Sequence, residues 1–366
     1  MTADPPRVTV LMSIYNGQDY LHESVTSILN QTFSDFEFLI VDDGSEDKTG
    51  EILEAFRQKD SRIVVIRNKK NMGLTRSLNK GLGRARGEYI ARQDADDISL
   101  PNRLEKQVAV LDDHPAFVLV SSNIEFIDLH GRPVKRSDRA GDPDLIAWHL
   151  IFYNHVAGHS VVMFRRKTVT ELGGYAERYR YSQDHELWIR LARVGDIVVL
   201  PDVLLQWRAH DENISCKADA EQEAFSLDGT RQRISGLVGE PISLTEAKKL
   251  RDFWLGQFDD GSRFRKVHIR LRQIYERFLV ERAGQGRCPG DLPRRLRARI
   301  SRQFYDCSLR INVRQRLLLG FKGCRYAVAW HPVAGIIYGL KETFLFPYYL
   351  VRGFARRVSS GVLARF

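Results

Sequence analysis

Val8-Thr-Val-Leu-Met-Ser-Ile14, Phe36-Glu-Phe-Leu-Ile-Val41 and Tyr89-Ile-Ala-Arg-Gln-Asp94-Ala-Asp96-Asp97 decide how this chain folds. The first two are short apolar runs of strand length, and each is followed by a stretch with helical spacing. Residues 17–30 carry Leu21, Val25, Ile28 and Leu29 on one face, and the same period predicts helices over 47–59 and 73–85. Residues 62–67 supply a third strand, and 89–91 begin a fourth. Alternation at this spacing predicts an α/β fold with a Rossmann-like, mostly parallel sheet and helices on both faces. Ligands of such sheets bind beyond the carboxyl ends of the strands. Three acidic groups stand at such places. They are Asp42-Asp43, the cluster Asp94-Ala-Asp96-Asp97, and Asp184 at the head of a helix predicted over 184–193.

Outward from that core the pattern becomes mixed. A helix is predicted over 104–111 and strands over 117–120, 160–164, 197–200 and 203–207. Beyond residue 215 the segments turn helical and basic, so the sequence predicts a catalytic-type α/β domain over 1–215 and a helical basic extension over 216–366. A hydrophobic content of 43% is enough for a packed core and excludes a disordered chain. The net charge of +10 hides an asymmetry: 33 Lys/Arg oppose 41 Asp/Glu through residue 260, and 23 oppose 5 after it. The first part therefore carries −8 and the last third +18, which points the tail toward an anionic partner. Cys216, Cys288, Cys307 and Cys324 form no CxxC pair and read as reduced thiols. The N-terminus has no signal-peptide pattern and no apolar run spans a bilayer. The expectation is a protein that stays in the compartment where it is made.

Carboxylates at strand ends would repel a bound diphosphate unless a cation lay between them. Asp94-x-Asp96, read as extended, puts two carboxylates on one side, a cradle for Mn²⁺ or Mg²⁺. Taken alone, a DxD triplet is more often a solvated acidic turn. Its company changes that. Ser13-Ile-Tyr15-Asn16-Gly17, Ser27-Ile-Leu-Asn30-Gln31-Thr32-Phe33, Val41-Asp-Asp-Gly-Ser45, Asn71-Met-Gly73 and Ala85-Arg-Gly87 precede the acidic cluster. His159-Ser160-Val-Val-Met163, Leu172-Gly173-Gly174-Tyr175, Gln183-Asp184-His-Glu-Leu-Trp188 and Trp207-Arg208-Ala-His210 follow it. This ordered series resembles the family 2 glycosyltransferases of GT-A fold, the kind that builds bacterial surface polysaccharides, over about residues 7–215. Position 13 is Ser where many members have Pro, and position 183 is Gln where Glu is common.

The resemblance implies an inverting, metal-dependent transfer of a sugar from a UDP- or dTDP-sugar to a hydroxyl of a glycan or lipid-linked acceptor. It implies that Ser13, Tyr15 and Asp43 line the base pocket, with Asp43 accepting an imide N–H and Tyr15 stacking on the ring. Of the pair Asp42 and Asp43, one is expected to serve the turn and the other the base. Arg76 either reaches the diphosphate or is a solvated helix charge. Asp94 is implied as a sugar or ribose contact, Asp96 as the metal ligand, and Asp97 as their support. His210 is a nitrogen ligand, a phosphate contact or a surface-loop histidine. Asp184 resembles the general base, and helix N-capping by it is compatible with that role. His155, His159 and Tyr175 fit acceptor contacts and packing equally well.

The basic tail resembles no family. Residues 263–272 and 294–302 are dense in Arg with apolar residues between them. Apolar stripes follow at 317–319, 327–330, 336–338 and 343–351, the last holding Phe344, Phe346, Tyr348 and Tyr349, and then Arg352, Arg356, Arg357 and Arg365. Such a mixture suits an interfacial helix on an anionic membrane surface, and also a soluble helical subdomain. No nucleic-acid-binding module is present. The localisation expected is cytoplasmic and peripheral, on the inner face of the cell membrane. Two rival classes are weighed. A sugar nucleotidyltransferase would need a Gly-rich basic loop after the first strand, where residues 13–19 hold one glycine and no basic residue. A non-catalytic sugar-nucleotide-binding protein would not need every acidic cluster intact.

Overall fold

The computed structural model describes residues 4–156, 158–210, 219–258, 261–287, 290–310 and 321–331. The chain divides into two compact units between Arg233 and Ile234. Cys216, Cys288, the stripes at 317–319, 336–338 and 343–351, and Arg352, Arg356, Arg357 and Arg365 lie outside the described residues.

The first unit opens with β1 (Val8–Ile14), α1 (Gln18–Leu29), β2 (Phe36–Asp42), α2 (Thr49–Lys59), β3 (Ile63–Arg67), α3 (Leu74–Leu82) and β4 (Tyr89–Gln93). β1 pairs in parallel with β2 on one side and β4 on the other, and β3 lies beyond β2. All seven residues of β1 and of β2 are buried, as expected of strands covered on both faces. Val8, Val10, Met12 and Ile14 meet Leu21, Val25 and Ile28 of α1 and Leu53 of α2. Leu11 points to the opposite side, where Gly81 of α3 lies so close that a Cβ there would sit 2.3 Å from a Leu11 methyl. Fully burying one such aliphatic side chain contributes roughly 1.5–3 kcal/mol.

The unit continues with β5 (Ile98–Ser99), α4 (Arg103–Asp113), β6 (Phe117–Ile127), β7 (Pro133–Arg136), α5 (Pro143–His149), β8 (Met163–Arg165), α6 (Arg166–Glu171), α7 (Gln183–Leu191), β9 (Asp196–Arg208) and α8 (Asp219–Val238). The division between the units falls within α8. The sheet order is β3-β2-β1-β4-β8-β6-β9-β5, with β7 on β6. Strand order reverses between β1 and β4, which makes their carboxyl ends a switch point for ligands. β4–β8 and β8–β6 are antiparallel, whereas β6–β9 is parallel.

Several elements differ from their expected bounds. β6 runs seven residues past Val120, because buried Ser121, Ser122 and Asn123 continue the strand. The two late strands are one, β9, which passes Pro201 by a register shift opposite Ser122 and Asn123. There Asn123 Nδ2 donates to the Pro201 carbonyl at 3.2 Å. Ser160 sits in a 3₁₀ turn, and β8 begins only at Met163.

The second unit is helical, with α9 (Leu244–Trp254), α10 (Phe264–Gly284), α11 (Leu292–Arg310) and α12 (Phe321–Trp330). Ser243 caps α9 by accepting from the Glu246 N–H at 3.1 Å. Phe264, Val267, Leu271, Ile274 and Phe278 of α10, with Leu292, Leu296, Ile300 and Phe304 of α11, are buried. The apolar stripes of the two Arg-dense segments therefore pack among helices rather than facing out. Arg265, Lys266, Arg272, Arg277, Arg294, Arg297 and Arg299 are exposed. Among the described residues no helix is long and apolar enough to cross a membrane.

Candidate active site

Asp42 and Asp43 end β2, and the structure separates their tasks. The Asp42 carboxylate accepts from the Ser45 N–H at 2.9 Å, closing a turn around Gly44, and meets Arg67 Nε at 3.2 Å. Gly44 has φ 81°, and a Cβ there would lie 2.7 Å from the Lys70 carbonyl carbon. Asp43 instead accepts from Asn68 Nδ2 at 2.6 Å, the Met72 N–H at 2.9 Å and the Gly73 N–H at 2.8 Å. It fastens the loop that opens α3. Ser13 is buried one residue before the end of β1, and Tyr15 just beyond it is 45% exposed. The loop behind Tyr15 is held by the Asn16 N–H donating to Ser45 Oγ and by Asn16 Oδ1 accepting from the Glu46 N–H. Arg76 is exposed and pairs with Glu177 at 3.3 Å.

The acidic cluster follows β4 as a turn rather than the extended segment expected from its spacing, since β4 ends at Gln93 and β5 starts at Ile98. Alternation along a strand therefore does not align Asp94 with Asp96. Buried hydrogen bonds fix the turn instead. The Asp94 N–H donates to Ser160 Oγ at 2.9 Å and its carbonyl accepts from Ser24 Oγ at 2.7 Å. The Asp94 carboxylate is paired with the fully buried Arg92 guanidinium. Asp96 Oδ2 lies 3.0 Å from His210 Nε2. Asp97 is wholly buried; its Oδ1 accepts from the Arg208 N–H at 3.1 Å, and its Oδ2 has no partner. Burial, and then the charge of Asp94, hold the Asp96 carboxyl above the usual carboxylate range. Burial with Asp96 and Asp94 pushes Asp97 well above it.

Crowded carboxylates, an unpartnered buried oxygen and an imidazole nitrogen facing Asp96 fit a divalent cation with oxygen and nitrogen donors. Among the described residues no group of three His, Cys, Asp or Glu side chains could hold a metal ion unaided. The described residues thus fit an open site, in which a cation takes further ligands from phosphate and water.

Asp184 is the second residue of α7; the N-cap is Ser182, in the left-handed region at φ 54°. Asp184 is therefore not the cap, although it lies in the positive first turn. Its Oδ2 accepts from Asn154 Nδ2 at 2.8 Å. Burial raises the Asp184 carboxyl, hydrogen bonds from the His185 N–H and Asn154 lower it, and the charge of Asp94 raises it again. The buried Tyr175 phenol feels both Asp94 and Asp184, and its hydroxyl meets His159 Nε2 at 2.8 Å. Asp184 and the acidic turn thus share one electrostatic neighbourhood. His155 is bonded to Tyr153 and stacked on His149.

Among solved structures, the chain resembles that of Staphylococcus aureus TarS (residues 1–349) in complex with UDP-GlcNAc, with a TM-score of 0.53 over 91% of this chain and 92% of that one. At 17% identity this likeness speaks for the fold. The putative glycosyltransferase EpsE of Bacillus subtilis is 38% identical over 194 residues, which are 52% of this chain and 68% of EpsE. This chain belongs to glycosyltransferase family 2. The model of that family, Glycosyl transferase family 2, matches residues 9–173. The amylovoran biosynthesis glycosyltransferase AmsE of Erwinia amylovora is 32% identical over 57% of this chain and 78% of AmsE. The protein is thus a glycosyltransferase with the α/β fold expected of its family.

Within this family 2 glycosyltransferase, the matched span includes the turns after β1, β2 and β4 and stops short of Asp184 and His210. Two residues of the site were not legible as such. Arg92 lies inside a short strand that reads as apolar, and Asn154 belongs to no quoted motif. Only the density of polar residues just before Asp94 could have drawn attention to Arg92.

Proposed function

We propose that this glycosyltransferase moves a sugar from a UDP- or dTDP-sugar onto a hydroxyl of a glycan or lipid-linked acceptor, with inversion at the anomeric carbon. The observation that supports the reading is that Ser160, which accepts from the Asp94 N–H, directly follows His159, whose ring packs against Trp188 one turn after Asp184 in α7. On this reading a proton acceptor and an acidic turn suited to a cation border one site.

Asp96 and His210 would hold a Mn²⁺ or Mg²⁺ ion, with Asp94 beside it toward the sugar. When bound, that ion supplies positive charge to the departing diphosphate. Asp184 takes the proton of the acceptor hydroxyl as it attacks. One displacement, with base and leaving group on opposite sides of the sugar, inverts the centre. Asp43 has used three of about four lone-pair sites on its loop, which leaves one for an imide N–H. Ser13 and Tyr15 border the same strand ends. The exposed Arg76–Glu177 pair is worth roughly 0–1 kcal/mol and yields readily to a phosphate.

The catalytic part is assigned to residues 1–215, and residues 216–366 to attachment at the cytoplasmic face of an anionic membrane. Because the apolar faces of α10 and α11 are buried, attachment rests on exposed Lys and Arg. The test is release of nucleoside diphosphate from UDP-, dTDP- and GDP-sugars, with and without Mn²⁺. Turnover that survives thorough chelation removes the metal from the reading; release from none of the donors overturns it.

A further inference from the structure

Asp184 is held by a side chain that the reaction so far leaves idle. Asn154 lies between α5 and β8, and its Nδ2 donates to Asp184 Oδ2 at 2.8 Å. Its main chain is anchored in turn. The Asn154 carbonyl accepts from Arg139 Nη1 at 2.9 Å, and the Arg139 N–H donates to Asn123 Oδ1 at 2.8 Å. Asn123 belongs to β6 and also donates to the Pro201 carbonyl in β9. A relay of hydrogen bonds therefore runs from two central strands to one oxygen of Asp184. The other end of the same amide, Oδ1, is buried and has no partner. An unpaired buried acceptor is unfavourable. A side chain serving only to fill space would avoid that cost with an apolar residue, so the donor end is what the position needs.

Resting on the reading of Asp184 as the base, we infer that Asn154 is a positioning residue, which aims the Asp184 carboxylate at the acceptor hydroxyl and favours its charged, proton-accepting state. A neutral carboxyl could not accept from the amide N–H in the same way, so the contact selects the ionised form. Burial works against that form, and the hydrogen bonds from the His185 N–H and from Asn154 work for it. The His185 N–H and the main chain of Asp184 itself favour the charged form as well, but they belong to the first turn of α7 and move with Asp184, whereas Asn154 holds it from outside the helix. Asp94 opposes ionisation and is itself tied to Arg92. Tyr175 is a buried phenol turned to His159, and His185 directs its ring to the Leu150 carbonyl and Ser226. Glu186 is paired with Arg190, and His155 with Tyr153.

The test is the pH profile of kcat/KM for the full chain, with a UDP- or dTDP-sugar that it turns over. An essential base appears as an acidic limb. Removing the donor with Asn154→Leu should displace that limb toward higher pH. The loss is then ~10-fold or more on the acidic side, since one pH unit is tenfold in the charged form, and it closes as pH rises. Asn154→Ser, which keeps a short donor, should restore part of the acidic side. Circular dichroism and a melting curve on each variant identify failure to fold, in which case Asn154→Ser alone is compared with the parent. A profile that keeps its shape and falls equally at every pH would mean that Asn154 only packs, and the inference fails. Asp184→Asn separates the two readings. Near-normal turnover there removes the base itself, whereas a dead Asp184→Asn beside an unshifted Asn154→Leu limb overturns this inference alone.

Discussion

His210 Nε2 lies 3.0 Å from Asp96 Oδ2, although 114 residues separate the two in the chain. β9 makes this contact. Its last residue, Arg208, donates its N–H to Asp97 and its Nε to the Asp96 carbonyl. The imidazole two residues on is therefore delivered to the acidic turn in register. Asp96→Ala and His210→Ala should each weaken Mn²⁺-dependent donor binding in calorimetry, Asp96→Ala the more, with secondary structure intact. Donor affinity that is the same with and without chelator in the parent protein would refute the assignment.

Asp184→Asn keeps the shape of the side chain and removes its ability to take a proton. A general base typically supplies 10²–10⁴-fold, so turnover should fall by at least roughly 100-fold while donor affinity stays nearly constant. The anomeric configuration of the product, read by NMR, is an independent check. Retention would contradict a single displacement.

The same substitution has a thermodynamic consequence of opposite sign. Burial raises the folded-state pKa of Asp184 above its unfolded value. Such a group contributes stability that is full below the unfolded pKa and is lost as pH rises through the folded one. Asparagine does not ionise. Asp184→Asn should therefore melt higher than the parent at neutral pH, with the difference vanishing in acid. A variant that melts lower at neutral pH would mean that the carboxylate is stabilised by groups other than those described.

Asp43 joins the end of β2 to the loop before α3 by three hydrogen bonds, two of them from main-chain N–H groups. Asp43→Ala strands all three donors. Hydrogen bonds to charged groups contribute about 1.5–3 kcal/mol each and do not add fully, so a loss on the order of 3 kcal/mol is expected in chemical denaturation. Nucleotide affinity should fall with it. Asp42→Ala should cost less in nucleotide affinity, because its contacts stay within the Gly44 turn and with Arg67.

The basic helices should bind anionic vesicles and release them at high salt. Each Lys or Arg held close to such a surface contributes about 1 kcal/mol. Replacing exposed Arg265, Lys266, Arg297 and Arg299 with Gln should cut vesicle binding in sedimentation assays and leave soluble-donor turnover unchanged. Indifference of the parent protein to anionic vesicles at low salt would make this face a docking surface for a protein.

The first half of the fold was readable because β1 and β2 are buried on both faces and write themselves as continuous apolar runs. The second half was less so. Ser121, Ser122 and Asn123 are interior residues of β6, and the polarity of Ser122 and Asn123 is met by hydrogen bonds invisible to hydropathy. Pro201 reads as a break, yet β9 passes through it by shifting register. α5 and α6 are too short, at seven and six residues, to display a period. Within the site, the carboxylates following strands stood out because ligands of such sheets bind beyond the carboxyl ends of the strands, where these residues lie. Their partners did not. Arg92 hides in a strand, and Asn154 meets Asp184 across 30 residues of sequence.

The attachment of Arg208 to the acidic turn makes the end of β9 common to the sheet and the site. The strand pairs with β6 from Asp196 to Arg208, and Arg208 at the same time closes on Asp96 and Asp97. The distance between the carboxylates is therefore set by the sheet as much as by the loop that carries them, and a substitution that shifts β9 against β6 would retune a site it never touches.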